Sequence, residues 1–305
     1  GGTVHNMEIK TYVLGVGLSD EDKVKLDAMA VHGGTDVNGH AYYADDPSQL
    51  IDALGNIFSS LIECGYSFTS PSVPSVRLDD LEDYRAYISA FTPSSTDPFW
   101  PGSLKAYQLN PDGTLPVDTS GFPLNAPIWS ASIPASGSRV IKTYVGGALK
   151  DFTTSNFTKG DLGVGSDAAK NNLISYIRNL GLGDIFHSNS VIIGSPSPFF
   201  MDEGYSGTGG FYGNNKNRTK VVLAGANDGM LHAFDATTGV EQWAFIPNSL
   251  LKNLNSMQTA HTYYVDSSPK VADVWFYNDS TDTTKSADEW KTVLICGLRK
   301  GGKSY

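Results

Sequence analysis

One stretch constrains the fold more than any other. It runs Val221-Val222-Leu223-Ala224-Gly225-Ala226-Asn227-Asp228-Gly229-Met230-Leu231-His232-Ala233-Phe234-Asp235-Ala236-Thr237-Thr238-Gly239-Val240-Glu241-Gln242-Trp243. Asn227-Asp228-Gly229 is a tight hairpin turn, because Asn, Asp and Gly accept the positive φ such turns need. Asp235 to Gly239 is a second turn, with Gly supplying the left-handed position. Three short strands joined this way and closed by Trp243 make most of a four-stranded propeller blade. A partial second copy follows. Val265 to Val274 leads through a polar loop to Trp290, and a further strand pattern runs toward Tyr305.

The rest of the chain divides by character. From Gly183 onward the sequence reads as β, with strands expected at Ile185–Phe186, Val191–Ile193, Val221–Ala224, Met230–Phe234, Gln242–Phe245, Val271–Tyr277 and Thr292–Cys296. Tyr205 to Asn217, rich in Gly, Ser and Asn, reads as a mobile loop. Residues 66–182 carry many prolines, from Pro71 to Pro134, between alternating stretches such as Tyr84–Phe91 and Leu104–Leu109. Pro is tolerated at sheet edges, so this is an edge-rich β segment. Asn110-Pro111-Asp112-Gly113 is a turn between strands. One helix is expected over 166–180, with Leu173, Ile174 and Ile177 inward. Residues 1–65 read as α/β: a strand at Ile9–Val16, a helix capped by Ser19 and stopped at Gly33-Gly34, and a strand at His40–Ala44. A second helix opens at Asp46-Pro47. Val24, Leu26, Met29 and Ala30 form the expected apolar face of the first helix; Leu50, Ile51, Leu54, Ile57, Phe58, Leu61 and Ile62 form that of the second.

Composition then excludes several classes. The 305 residues hold 22 Lys+Arg against 32 Asp+Glu, a net charge of −10. A nucleic-acid binder needs the opposite sign to neutralise phosphates, so nucleic acid is not an expected partner. No apolar run approaches the roughly 20 residues that span a bilayer, and no transmembrane segment is expected. The 32 Gly and 15 Pro follow no period and are turn chemistry for many short strands. The first residues show no signal peptide, and both ends read as cuts through something longer. Cys64 and Cys296 sit in no CxxC and near no His pair, and are read as two buried thiols.

Candidate chemistry is thin. Asp184-Ile185-Phe186-His187-Ser188 holds the residue types of a triad, but neighbours in sequence do not converge as one. His187 is read as a structural His bonding backbone, and His232 as a half-buried strand residue. His5, His32, His40 and His261 show no zinc spacing. The loop from Asn278 to Glu289 places oxygen side chains at calcium-template positions, with Asn278, Asp282 and Glu289 the candidate ligands. Thr283 stands where the template requires Gly, and Lys285 adds a repelling charge. A solvated hairpin loop is the reading taken, and no cofactor is expected in this segment. Asp97-Pro98-Phe99-Trp100-Pro101-Gly102 is read as packing under the β segment rather than as an exposed patch.

The blade wording (DG, an apolar-aromatic strand, D-x-x-T-G, then Trp) resembles the quinoprotein type. Together with Leu182-Gly183-Asp184-Ile185-Phe186-His187-Ser188, Val191-Ile192-Ile193-Gly194-Ser195-Pro196 and Thr292–Tyr305, it resembles the propeller of the PilY family of type IV pilus tip adhesins and assembly factors. Tyr12–Gly17, the Gly33-Gly34 break, Tyr42–Ala44 and the Leu50–Ile62 helix are similar to the end of a von Willebrand A domain. The fold class expected is therefore an α/β remnant, von Willebrand A-like, over 1–65, followed by mainly β structure. The second part is a Pro-rich β segment over 66–182, and the third, over 183–305, is a partial β-propeller of quinoprotein-like blades. The resemblance implies a non-enzymatic, extracellular protein, exported through the periplasm to the pilus tip or outer-membrane surface. Its implied partners are minor pilins, the pilus tip complex, and host or abiotic surfaces. The metal motif of the von Willebrand domain would lie upstream, and the family's D-x-D-x-D-G calcium loop elsewhere in the protein. The competing resemblance is a quinoprotein dehydrogenase, whose adjacent Cys pair and metal carboxylates are not found here.

Overall fold

The structure, a computed structural model, describes residues 11–46, 49, 50, 53, 85–117, 123–276 and 284–305. It divides into two compact units, one of residues 1–66 with 116–124 and one of residues 67–115 with 125–305.

The first unit contains strand β1 (Leu14–Val16), helix α1 (Asp20–His32) and strand β2 (Tyr42–Ala44), with β1 and β2 parallel. Ser19 caps α1 by accepting the Asp22 backbone N–H, and three acids fill the first turn, where the helix dipole favours them. The expected apolar face is only partly used. Ala30 is buried, but Val24 and Met29 are exposed. Leu26 lies against Gly15 of β1, and beside it Asp27 accepts from the Ala41 backbone and from Tyr43, and pairs with His40. Gln49, Leu50 and Ala53 are helical; the rest of the expected second helix, and residues 1–10, lie outside the described residues.

The second unit holds the expected meander. Strands β8 (Val191–Ile193), β9 (Val221–Gly225), β10 (Leu231–Asp235) and β11 (Glu241–Phe245) pair antiparallel in chain order. Gly229 and Gly239 take φ of 92° and 75° in the two turns. A backbone of this kind is available to Gly without steric cost. Two earlier strands extend the sheet: β6 (Ile141–Val145) pairs parallel to β11, and β7 (Ala148–Asp151) pairs antiparallel to β6. The six-stranded order is β7-β6-β11-β10-β9-β8, and its pairing runs across residue 183. Strands β3 (Arg85–Phe91), β4 (Gly102–Gln108) and β5 (Trp129–Ser130) form a separate antiparallel sheet. Strands β12 (Lys270–Trp275) and β13 (Trp290–Ile295) form a third.

Both faces of the meander are covered. On one, Leu231, Ala244 and Ile246 pack with Leu173, Ile174 and Ile177 of helix α2 (Asp167–Asn179) and with Leu250 and Leu254 of a 3-10 helix over Asn248–Gln258. On the other, Val222, Ala224 and Phe234 pack with Tyr87, Leu104 and Trp129 of the β3–β4–β5 sheet. Burial on two faces explains why Val221–Ala224 is a continuous apolar run rather than an alternating one. The Trp129 indole N–H donates to the Ala236 carbonyl at 2.9 Å, and Arg85 donates to the same oxygen at 2.7 Å.

Three local expectations are corrected. Ile185 is buried but neither it nor Phe186 is in a strand. The preceding Gly183 makes only an isolated bridge to Pro101 and packs on the Asn227–Gly229 turn, where an added Cβ would stand 2.7 Å from the Asp228 nitrogen. The segment 205–217 is not a free loop: Tyr205 and Phe211 are buried with Trp290, and Phe211–Asn215 form a short helix, α3. The Asn110–Gly113 turn closes through an Asn110-to-Thr114 backbone bond of 2.8 Å, but no strand follows before β5 among the described residues.

Candidate functional site

The chemistry of the second unit begins inside the meander. His232 is fully buried, not half-buried as expected. Its Nδ1 lies 2.7 Å from Glu241 Oε1, and its Nε2 lies 3.0 Å from both Asp228 oxygens. Glu241 in turn accepts from Arg139, at 2.7 Å from Nε and 3.0 Å from Nη2. Arg139 also donates to the Leu180 carbonyl at 3.0 Å, at the end of α2. The result is a buried ladder of alternating charge: Asp228, His232, Glu241, Arg139. Burial alone would lower the His232 pKa, but the Asp228 charge and the bonds to Asp228 and Glu241 raise it to about 9. Burial likewise disfavours the Glu241 carboxylate, but bonds from His232 and Arg139 bring it down to about 2. Asp228 also accepts the backbone N–H of Gly183 at 2.9 Å and that of Met230 at 3.1 Å. The ladder thus fastens the first hairpin turn to the chain that enters the meander.

The residues of the triad-like sequence go to three different partners. Asp184 pairs with His261 at 3.0 Å and accepts the Asn227 amide at 2.7 Å. His187 pairs with Asp266 at 2.8 Å, a side-chain acceptor where backbone was expected. Ser188 accepts the Gly225 backbone N–H at 2.9 Å. Segments 184–187 and 261–266 are therefore joined reciprocally, each giving one buried Asp to the other's His. Burial pushes the Asp266 carboxyl up, against the pull of His187. Trp100 packs between Phe91, at 6.0 Å, and His261, at 3.7 Å, which matches its expected packing. These contacts hold segments 184–187 and 261–266 together.

What the scaffold displays lies in the connection between β8 and β9. Phe199, Phe200 and Met201 are consecutive and 77%, 50% and 80% exposed. Phe200 keeps an edge-on contact with buried Tyr205 at 5.4 Å, which gives the tip a fixed base. Beside it lies a cavity of about 290 Å³, lined by Pro198, Phe200, Met201, Tyr212 and Lys216. A second, more polar cavity of about 540 Å³ opens on the other side of α3, against the start of β13.

Of the candidate calcium ligands, Asn278 and Asp282 lie outside the described residues. Glu289 is buried, and its carboxylate accepts from the Ser286 backbone at 3.0 Å and the Trp275 indole at 3.1 Å. Among the described residues no group of three or more His, Cys, Asp or Glu side chains is placed to hold a metal. Cys296 is half-buried, with its thiol pushed up to about 11 by burial; Cys64 lies outside the described residues. Reading the sequence missed Arg139 and Arg218. The signal for Arg139 was indirect: two acids and a His at interior positions of one meander require a buried cation.

Comparison with known proteins decides the family. A sequence model of the PilY1 beta-propeller domain matches residues 182–305. A type IV pilus biogenesis factor PilY1 homolog of Xylella fastidiosa is 32% identical over 288 residues, covering 86% of this chain and 21% of its own length. These matches support a PilY-family protein. The type IV pilus biogenesis factor PilY1 of Pseudomonas aeruginosa strain PAK is 29% identical over 310 residues, covering 89% of this chain and 26% of its own length. The chain thus spans about a quarter of the length of the PilY relatives it matches. No solved structure matches it. The PilY propeller match begins at residue 182, beside the Gly183 contact with the Asp228 turn. No helix among the described residues is long and apolar enough to cross a membrane.

Proposed function

We propose that this chain is part of a type IV pilus tip-associated adhesin and assembly factor that acts by contact rather than by catalysis. Its partners are minor pilins of the tip complex and host or abiotic surfaces. It works outside the cell, at the pilus tip or outer-membrane surface, after export through the periplasm. The observation that carries this reading is the pairing of the PilY propeller match with a consecutive exposed apolar tip, Phe199–Met201, on a buried base. Rigid scaffolds that vary and display loops are suited to binding. In this reading residues 1–65 are the end of a von Willebrand A-like domain, 66–182 a Pro-rich β segment, and 183–305 the first, quinoprotein-like blades. Calcium belongs to a loop elsewhere in the full-length protein.

The test is deletion of the gene followed by complementation with the intact gene. Loss of surface pili, twitching and attachment on deletion, and their return on complementation, is the expected result. A deletion strain with normal pili, motility and attachment refutes the proposal.

A further inference from the structure

The polar cavity of about 540 Å³ between α3 and the start of β13 is lined by Asn214, Arg218, Asp288, Trp290, Lys291 and Thr292, among others. We propose that it is a carboxylate-binding site anchored by Arg218, and that its occupant is an acidic group of a partner protein. The inference rests on the contact function proposed above.

Arg218 is held before any ligand arrives. Its Nε donates to the Gly194 carbonyl, and its Nη1 donates to Thr292 Oγ1 at 2.6 Å. Thr292 passes the bond on to Asp273 at 2.7 Å, and the Tyr205 hydroxyl donates to the other Asp273 oxygen at 2.8 Å. Both Asp273 oxygens are thus occupied by hydroxyls, and neither bonds the guanidinium directly. The remaining amino group, Nη2, has no acceptor among the described residues. Burial lowers the Arg218 pKa by more than Asp273 and Tyr205 restore, so the charge is undercompensated where it stands. The one acid in the lining, Asp288, takes a hydrogen bond from Ser286 and sits in the field of Lys291. Lys291 itself donates to the Asp288 carbonyl. Arg218 is therefore the cation left to meet a ligand, and its Nη2 group can make a charge-assisted hydrogen bond to a carboxylate. A protein is the occupant favoured here because the relatives this chain matches are named as biogenesis factors of a pilus, a protein filament.

The experiment is calorimetric titration of the full chain with three probes. These are acetyl-Gly-Asp-Gly-amide, its Asn counterpart, and galacturonate. The expected result is binding of the Asp peptide that weakens with salt, and at least about tenfold weaker binding of the Asn peptide, the scale of one charge-assisted hydrogen bond. Arg218→Gln should lower Asp-peptide affinity by the same factor. Where Arg218→Gln does not fold, Arg218→Lys serves, since it keeps the charge and loses the fixed Nη2 donor. Equal affinity for the two peptides, unchanged affinity in a folded Arg218 variant, or binding of galacturonate alone overturns the site. An Arg218 variant that binds no peptide yet restores pili to a deletion strain leaves the contact function standing and removes this site from it.

Discussion

The buried ladder makes the sharpest prediction about stability. Replacing Glu241 by Gln keeps its shape and removes the one negative charge between His232 and Arg139. Both cations then face an amide that can also donate, in a site where the Arg139 and Glu241 side chains are at most 1% exposed. Removing one partner of a buried ion pair costs about 3–5 kcal/mol, because the other charge is left uncompensated. For a unit of this size each kcal/mol moves the midpoint by about 2–4 °C, so Glu241→Gln should lower Tm by about 6–20 °C. Thermal unfolding of the full chain followed by circular dichroism measures this. The double variant Arg139→Met/Glu241→Leu should recover part of the loss, since no guanidinium is left uncompensated and His232 keeps Asp228 as its partner. The pH dependence has a fixed sign. His232 titrates near 9 folded against an ordinary 6.5, so its contribution is full below 6.5 and is lost as pH rises through 9. Glu241 titrates near 2 against an ordinary 4.5, so its contribution is full above 4.5 and is lost as pH falls through 2. Stability from the ladder should therefore be greatest between pH 4.5 and 6.5. A Glu241→Gln midpoint within about 2 °C of wild type, or a double variant as damaged as the sum of the singles, refutes the account.

Other variants read single contacts. Gly229→Ala should cost about 1–3 kcal/mol in chemical denaturation. Gly229 has φ of 92°, and a Cβ there would stand 2.8 Å from buried Leu254. Tyr205→Phe should cost about 1–3 kcal/mol by the same assay, because Asp273 loses a donor. Cys296, pushed from 9.0 to about 11, should react with iodoacetamide at pH 8 about a hundredfold more slowly in the folded chain than in urea. Mass spectrometry of the Cys296 peptide reports the rate.

The meander was legible because its turns are. Asn227-Asp228-Gly229 and Asp235–Gly239 permit little but reversal, and the strands between them have no other way to pair. Helix α2 was legible because Leu173, Ile174 and Ile177 repeat at helical spacing. Reading failed where composition pointed one way and a few large side chains pointed the other. Segment 205–217 is dominated by Gly, Ser and Asn, yet Tyr205 and Phe211, with Tyr212 beside them, bind it to Trp290. Helix α1 has the right caps, but of its expected apolar face Val24 and Met29 remain outside, and Asp27 supplies polar contacts to Ala41 and Tyr43 instead. The β6–β11 pairing joins residues about a hundred positions apart, in parallel, and no local signal announces a pairing of that range. His232 read as ordinary because its partners Asp228, Glu241 and Arg139 converge only once the strands are in register.

These features separate what holds the protein from what it shows. Both faces of the meander are covered, and Asp228, His232 and Glu241 on its inside are paired. The consecutive apolar exposure falls instead in the β8–β9 connection. Phe199 and Met201 touch little, so Phe199→Ser/Met201→Ser should change stability by no more than about 0.5 kcal/mol. Phe200 is different, since it rests on Tyr205, and Phe200→Ser should destabilise by about 1–2 kcal/mol. If the connection is a contact surface, the double variant should fold and be exported normally yet reduce attachment or pilus assembly in a complemented deletion strain. The two readouts must part for the reasoning to hold. A double variant that melts early places Phe199 and Met201 in the scaffold, and one that restores pili and attachment in full removes the tip from the contact surface.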